Sequence, residues 1–249
     1  MSDLRVEAVT KAYPGLPVLD GVTFDVAGGE FVSVIGPSGC GKSTLFDVVA
    51  GLERPDAGRV LVDGRDATGR VAPFAYMPQQ DLLFPWRTVL ANTTLGLEVA
   101  GVPRREARER ARALFPTFGL TGFEDARPGQ LSGGMRQRAA LLRTVVQDRP
   151  LLLLDEPFGA LDSLTRTGMQ TWLADVRAGF GWTVLMVTHD IREAVLLSDR
   201  VVVLGPRPTR VGHEVVVDLP RPRDLAVTTS VRFSGIAAEL LGMLGSDVA

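Results

Sequence analysis

Gly36-Pro37-Ser38-Gly39-Cys40-Gly41-Lys42-Ser43-Thr44-Leu45 is the stretch that decides the fold. It fits the pattern G-x-x-x-x-G-K-[ST], with Gly36, Gly41, Lys42 and Ser43 at the fixed positions. Phe31-Val32-Ser33-Val34-Ile35 leads into it as a buried-strand pattern, and Ser43-Thr44-Leu45-Phe46-Asp47-Val48-Val49 leaves it as a helix, the context such a motif requires. Phosphate chemistry accounts for the residue types. Glycines remove the Cβ atoms that block close approach and let successive backbone N–H groups turn inward around an anion. The start of the following helix adds its positive dipole end. We expect Gly36, Ser38, Gly39, Cys40, Gly41, Lys42, Ser43 and Thr44 to cradle a nucleoside triphosphate, with Lys42 on the β- and γ-phosphates and the Ser43 hydroxyl on Mg²⁺.

Working outward, the segment before this loop reads as short strands. Leu4, Val6 and Ala8 alternate, as do Val22, Phe24 and Val26, with Tyr13-Pro14-Gly15 and Ala27-Gly28-Gly29 as turns. Residues 58–62 and 72–77 read as further strands. From about Arg87 to Val146 the pattern is helical, and residues 104–114 form an Arg- and Glu-rich helix with a solvated face. Strand signals return at 151–154, 183–188 and 200–204, separated by helices at about 163–179 and 191–198, and residues 211–217 read as a strand or hairpin. Ile236, Leu240, Met243 and Leu244 mark one face of a terminal helix. The expected fold class is α/β: a mixed-sheet nucleotide-binding core from residues 1–86 and 150–217, an inserted α-helical subdomain at 87–149, and a short helical extension at 218–249.

The composition suits this reading and narrows the partners. The chain has 249 residues, 45% of them hydrophobic, and a formal net charge of −2, so no basic excess points to nucleic acid. Met1-Ser2-Asp3-Leu4-Arg5 is not followed by a secretory h-region. The apolar runs fall short of the roughly 20 residues that span a bilayer. The single cysteine, Cys40, allows no internal disulfide, and the expected location is cytoplasmic. Beside Lys42 and a helix N-terminus the surroundings lower a thiol's pKa, so alkylation of Cys40 is expected to block ATP, while an inert structural cysteine is the preferred reading of its role.

Two further segments carry chemistry. Leu151-Leu152-Leu153-Leu154-Asp155-Glu156-Pro157 is an apolar run that emerges at two carboxylates. Asp155 is placed to hold the Mg²⁺ water shell and Glu156 to polarise the attacking water. Leu131-Ser132-Gly133-Gly134-Met135 opens a helical pattern, with Ser132 as N-cap and two glycines that let backbone N–H groups face an anion.

With these pieces in order the chain resembles the ATP-binding subunits of ABC transporters over most of its length. The segment 131–135 is similar to that family's signature sequence. The resemblance implies that Tyr13 stacks on adenine and that Gln79 senses Mg²⁺ and the membrane partner. It also implies that Gly159-Ala160-Leu161-Asp162 forms the D-loop and Thr188-His189-Asp190 the switch-histidine segment. Each has an ordinary reading as well, Asp162 as a helix cap and His189 as a strand-end histidine among them. Met135 departs from the glutamine of many members, and Gln137 lies nearby. The family works as a head-to-tail pair in which ATP and Mg²⁺ are held between one subunit's phosphate loop and the other's Ser132, Gly133 and Gly134. Glu156 and His189 then act on the γ-phosphate, and Asp162 lines the contact. The stretch 79–89, with Leu83-Phe84-Pro85-Trp86-Arg87-Thr88-Val89, corresponds to the region that receives the transmembrane permease. Within the family these pieces, Pro157-Phe158-Gly159 and Leu219-Pro220-Arg221-Pro222-Arg223 resemble the nitrate/sulfonate/taurine-type importer ATPases, which include a thiamine-pyrimidine-precursor branch. Importers of this kind take their solute from an extracytoplasmic binding protein. The resemblance therefore implies an ATPase peripheral to the cytoplasmic face of the membrane, the alternative being a soluble ABC-type ATPase not coupled to transport.

Overall fold

The computed structural model describes residues 2–70 and 74–246. Four strands form one antiparallel sheet in the order β2-β1-β4-β5: β1 (Leu4–Tyr13), β2 (Leu16–Val26), β4 (Ala57–Val62) and β5 (Arg65–Asp66). Six others form a second sheet in the order β10-β9-β3-β8-β7-β6. They are β3 (Phe31–Ile35), β6 (Phe74–Met77), β7 (Leu151–Asp155), β8 (Thr183–Val187), β9 (Arg200–Leu204) and β10 (Val211–Val216). All neighbours in the second sheet are parallel except the edge pair β9–β10.

The strands expected at 4–35 are two long ones joined by the Tyr13 to Leu16 hairpin, followed by the short β3, rather than several short ones. The strand expected at 72–77 is described from Phe74 to Met77, and its first residues, Ala72 and Pro73, lie outside the described residues.

Continuous apolar sequence marks strands covered on both faces. Within β3, Val32 and Val34 face one core while Phe31 and Ile35 face another. Within β7, Leu151 and Leu153 alternate with Leu152 and Leu154 in the same way. One core lies between the two sheets and contains α1 (Lys42–Val49) through Leu45, Phe46, Val48 and Val49. The other lies beneath the helices: α2 (Val89–Thr93), α3 (Leu95–Val99), α4 (Arg104–Leu114), α5 (Gly133–Val145), α6 (Ser163–Phe180), α7 (Ile191–Leu197) and α8 (Val231–Ser246). Only Ala107 and Ala111 of α4 are buried, so its charged face is solvated as expected. The terminal helix buries Phe233 and Leu240. Arg223 ties the segment before it to the end of α7, donating to the carbonyls of Val195, Leu196 and Ser198 and to those of Val217 and Leu219.

Parallel pairing levels the strand ends. Val34 pairs with Val187, Ile35 with Val203, Met77 with Leu154 and Asp155 with Val187. The loops that follow β3, β6, β7, β8 and β9 therefore leave the sheet along one edge, where open α/β sheets bind ligands.

Candidate nucleotide site

The loop after β3 closes into α1 at Gly41, whose φ of 116° suits glycine and whose Cβ, if present, would lie 2.6 Å from Val18 Cγ1. The first turn of α1 has neither a side-chain cap nor an acidic residue, which leaves its N–H groups and dipole for an anion. Lys42 Nζ donates to the carbonyls of Gly36 at 2.8 Å and Pro37 at 2.9 Å, so the ammonium lies across the loop. Beside it opens a cavity of about 450 Å³. Its walls include Ser38, Gly39, Gly41, Lys42, Ser43 and Thr44, together with Tyr13, Leu16 and Val18 from the hairpin, Glu156, His189 and Arg207.

At Cys40 the structure supports the preferred reading of an inert cysteine. Its side chain is 2% exposed and packs behind the loop, where a Cβ on Gly36 would come within 2.9 Å of its Sγ. The thiol is shielded from reagents, which favours the inert structural cysteine. Gly36 and Cys40 shape the loop without lining the cavity.

At the end of β7, Glu156 adopts φ +42°, a left-handed conformation that costs a glutamate on the order of 1–3 kcal/mol. Its N–H donates to Val187 O at 2.9 Å, and its carbonyl accepts from Gly159 N at 3.0 Å, which hold the turn. The side chain is thereby presented between two neighbouring loops. Gln79 Nε2 donates to Glu156 Oε2 at 2.8 Å, and His189 Nδ1 stands 3.3 Å from the same oxygen. Asp155 is half-buried, and Tyr76 Oη donates to its Oδ2 over a long 3.4 Å. Burial, then the neighbouring Glu156, pushes the Asp155 carboxyl up to about 6, while burial raises the Tyr76 hydroxyl above its ordinary range. Beneath the switch turn, Thr188 N donates to Val34 O at 3.2 Å and Thr188 Oγ1 hydrogen-bonds the buried Glu193.

The segment 131–135 lies elsewhere. Ser132 Oγ accepts from Met135 N at 3.3 Å as the N-cap of α5, and Gly134 lets α5 approach α6, since a Cβ there would be 2.7 Å from Thr165 Cγ2. Gln137 is buried and its Nε2 donates to Pro157 O, linking α5 to the turn after Glu156. Asp162 caps α6, accepting from Thr165 N at 3.1 Å. Among the described residues, the cavity walls contain none of Ser132, Gly133, Gly134 or Asp162.

Sequence alone gives no sign of Leu16, Val18 and Arg207 in the cavity or of Glu193 beneath it. Arg207 follows β9 in a proline-flanked loop with no motif of its own, and Glu193 looks like any acid in the first turn of a helix.

A phosphate-cradling loop beside a glutamate and a histidine, on one edge of a parallel sheet, is the arrangement of a nucleotide-hydrolysing cassette. Residues 19–159 match the family described as "ABC transporter". The chain belongs to the ABC transporter family. It is 45% identical to the aliphatic sulfonates import ATP-binding protein SsuB 1 of Streptomyces avermitilis, covering 100% of this chain and 88% of that one. It is 43% identical to the formylaminopyrimidine import ATP-binding protein ThiZ of Halalkalibacterium halodurans, covering 97% and 96%. Among solved structures it is similar to an ATP-binding cassette seen as a dimer in a post-hydrolysis state with ADP and Pi, with TM-score 0.73, 31% identity, and 87% and 100% of the two chains covered. As a member of this family of cassettes the chain binds ATP and is an ATPase coupled to transport.

Proposed function

We propose that this chain is the ATP-hydrolysing subunit of an importer, working as a symmetric pair on the cytoplasmic face of a separate permease. The observation that carries the pairing is the division of the site. One part of the chain supplies the phosphate loop, Glu156 and His189 around a single cavity, while exposed Ser132 and Asp162 sit outside it. A second copy, turned head to tail, brings its Ser132, Gly133 and Gly134 onto the γ-phosphate and its Asp162 to the contact. Each of two ATP molecules is then part of the interface, and its hydrolysis removes contacts that exist only in the closed state.

Within one site the roles follow from position. Lys42 and the loop N–H groups hold the phosphates, and Tyr13 receives the base. Glu156 takes a proton from the attacking water, whose oxygen forms the new bond to the γ-phosphorus as the bond to the β-phosphate oxygen breaks and ADP leaves. His189 holds the γ-phosphate and the water in line, and Gln79 orients the carboxylate. Ser43, Asp155 and Gln79 fit a Mg²⁺ site: they offer a hydroxyl, a carboxylate with only one long hydrogen bond and an amide oxygen, and Mg²⁺ takes few protein ligands and keeps its waters. Bound there, Mg²⁺ would neutralise phosphate charge.

The permease would dock on the helical subdomain, 87–149, and on the stretch 79–89 before it. A groove of about 980 Å³ opens there, lined by Leu82, Leu83, Phe84, Leu95 and Val99. Trp86 stacks on Phe84 at 5.1 Å while remaining 69% exposed. Large apolar residues held in the open suit a protein partner. No helix among the described residues is long and apolar enough to cross a membrane, so attachment would come through that partner. The names of the sulfonate and formylaminopyrimidine relatives support a small solute of one of these two kinds, delivered by an extracytoplasmic binding protein that does not touch this chain. Affinity purification of the tagged chain from detergent-solubilised native membranes tests the reading. Recovery of a polytopic permease supports it, and recovery of soluble partners alone overturns the transport assignment in favour of a soluble ATPase.

A further inference from the structure

The nucleotide cavity has a third cationic or polar arm that no motif announces. Lys42 stands at its phosphate end, and Glu156 and His189 at its hydrolytic end. Arg207 joins Tyr13, Leu16 and Val18, the hairpin residues, in the remaining wall. Arg207 is exposed and makes no hydrogen bond or ion pair among the described residues.

The loop that carries Arg207 is nevertheless pinned close by. Thr209 is fully buried, its N–H donates to Val18 O at 2.8 Å, and its carbonyl accepts from Asp20 N at 2.9 Å. These bonds make a parallel bridge between Leu19 and Thr209. Thr209 Oγ1 donates to the carbonyl of Cys40, inside the phosphate loop itself. Gly205 N closes the turn onto Arg210 O at 3.0 Å, and Arg210 Nη2 pairs with Asp20 at 2.6 Å. In a parallel bridge the residues before Thr209 approach from the same end as those before Leu19, which is the hairpin end of the cavity. The loop is therefore fastened to both the hairpin and the phosphate loop, and it carries a cation without a carboxylate.

We propose that Arg207 is a further nucleotide-binding residue, its planar guanidinium stacking on the base of the bound nucleoside triphosphate alongside Tyr13. The cation that lies over the Tyr13 ring, Lys11 with Nζ at 5.5 Å from the centroid, belongs to β1 and pairs with Glu53, so it does not serve the ligand. A guanidinium is flat, weakly hydrated and always charged, and it stacks on aromatic faces in a way an ammonium does not. Arginine planes receive unstacked nucleobases in this manner elsewhere in recognition. Because the loop is already held by Thr209 and Arg210, little order has to be gained when the base arrives.

The inference rests on the ATP reading of the cavity, and one experiment separates the two. Dissociation constants for Mg-ATP and Mg-ADP are measured by calorimetry on the purified chain and on Arg207→Ala and Arg207→Lys. ATP and ADP share the base, so Arg207→Ala is expected to weaken both alike, by about tenfold, and Arg207→Lys to recover little of the loss. Unchanged affinity in Arg207→Ala overturns the proposal alone. So does a loss confined to ATP, which would put the guanidinium on the γ-phosphate, or full recovery by lysine, which would make it a point charge. No binding of Mg-ATP by the wild-type chain would remove the ATP reading, and this inference with it.

Discussion

Gln79 Nε2 donates to Glu156 Oε2 across 2.8 Å, although 77 residues separate the two in the chain. The contact exists because β6 and β7 are parallel neighbours whose ends are level, so the loop after one meets the turn after the other. His189 arrives from β8 on the same principle, 3.3 Å from the same oxygen. One carboxylate is thus met by an amide and an imidazole at the wall of the phosphate cavity, and its left-handed backbone is held by the bonds to Val187 and Gly159.

Removing the proposed base while keeping the shape isolates its role. Glu156→Gln is expected to bind ATP as the wild type does and to lose at least about 100-fold in turnover, the scale of a general base. Nucleotide binding by calorimetry and phosphate release at steady state measure the two halves. Wild-type turnover in this variant would take Glu156 out of the chemistry.

The proposed division of the site between two copies makes a different demand. Ser132→Arg leaves the cavity walls of its own chain untouched, so Mg-ATP should bind the isolated subunit unchanged. Turnover should fall below about a tenth, because a bulky cation would meet the partner's γ-phosphate. Loss of the Ser132 cap costs about 1 kcal/mol, or roughly 2–4 °C in melting temperature, and thermal unfolding will show that the fold persists. Turnover that survives the substitution would argue against a composite site.

Much of this site is legible in the amino-acid sequence. Lys42, Ser43 and Glu156 sit where apolar strands break off into glycine or acid, and such breaks are local signals. Ser132 and Asp162 announce themselves as caps for the same reason. What a linear sequence does not display is the order of the strands. That order brings Gln79 to Glu156, and a bridge between Leu19 and Thr209, equally invisible in the sequence, brings the Arg207 loop to the hairpin of Tyr13. Positive φ at Glu156 is equally silent, since no residue type marks it. The apolar run Leu151-Leu152-Leu153-Leu154 tells that both faces of β7 are covered, but not which leucines serve which core.

Trp86 tests the proposed docking groove. Its ring is mostly in solvent and stacks on Phe84, so Trp86→Ala should change the stability of the isolated chain by less than about 0.5 kcal/mol. An exposed tryptophan that anchors a partner is worth about 2 kcal/mol or more, a loss of roughly 30-fold in association. Solute uptake in cells and co-purification of the permease should both drop while ATP binding stays as it was. Undiminished uptake would move the docking surface elsewhere.

Glu193 gives the protein a pH dependence of predictable sign. Its side chain is 4% exposed, Oε2 meets the Thr188 hydroxyl beneath the switch turn, and Oε1 has no hydrogen-bond partner among the described residues. Its carboxyl is pushed up to about 8 from an ordinary 4.5, chiefly by burial, with Asp190 and Glu156 acting in the same sense and Thr188 and Arg166 in the opposite one. Between those two pH values the folded chain holds a proton here that the unfolded chain has released, so this site's contribution to stability falls as pH rises. The contribution is complete below the unfolded value of 4.5 and is lost as pH climbs through about 8. Glu193→Gln replaces the neutral acid by a neutral amide that cannot ionise. Urea unfolding at pH 5, 6, 7, 8 and 9 should therefore show a shallower decline in the variant than in the wild type, with the two curves converging at the acid end. Parallel declines would mean that Glu193 is ionised in the folded protein and that the switch turn rests on a carboxylate rather than an acid.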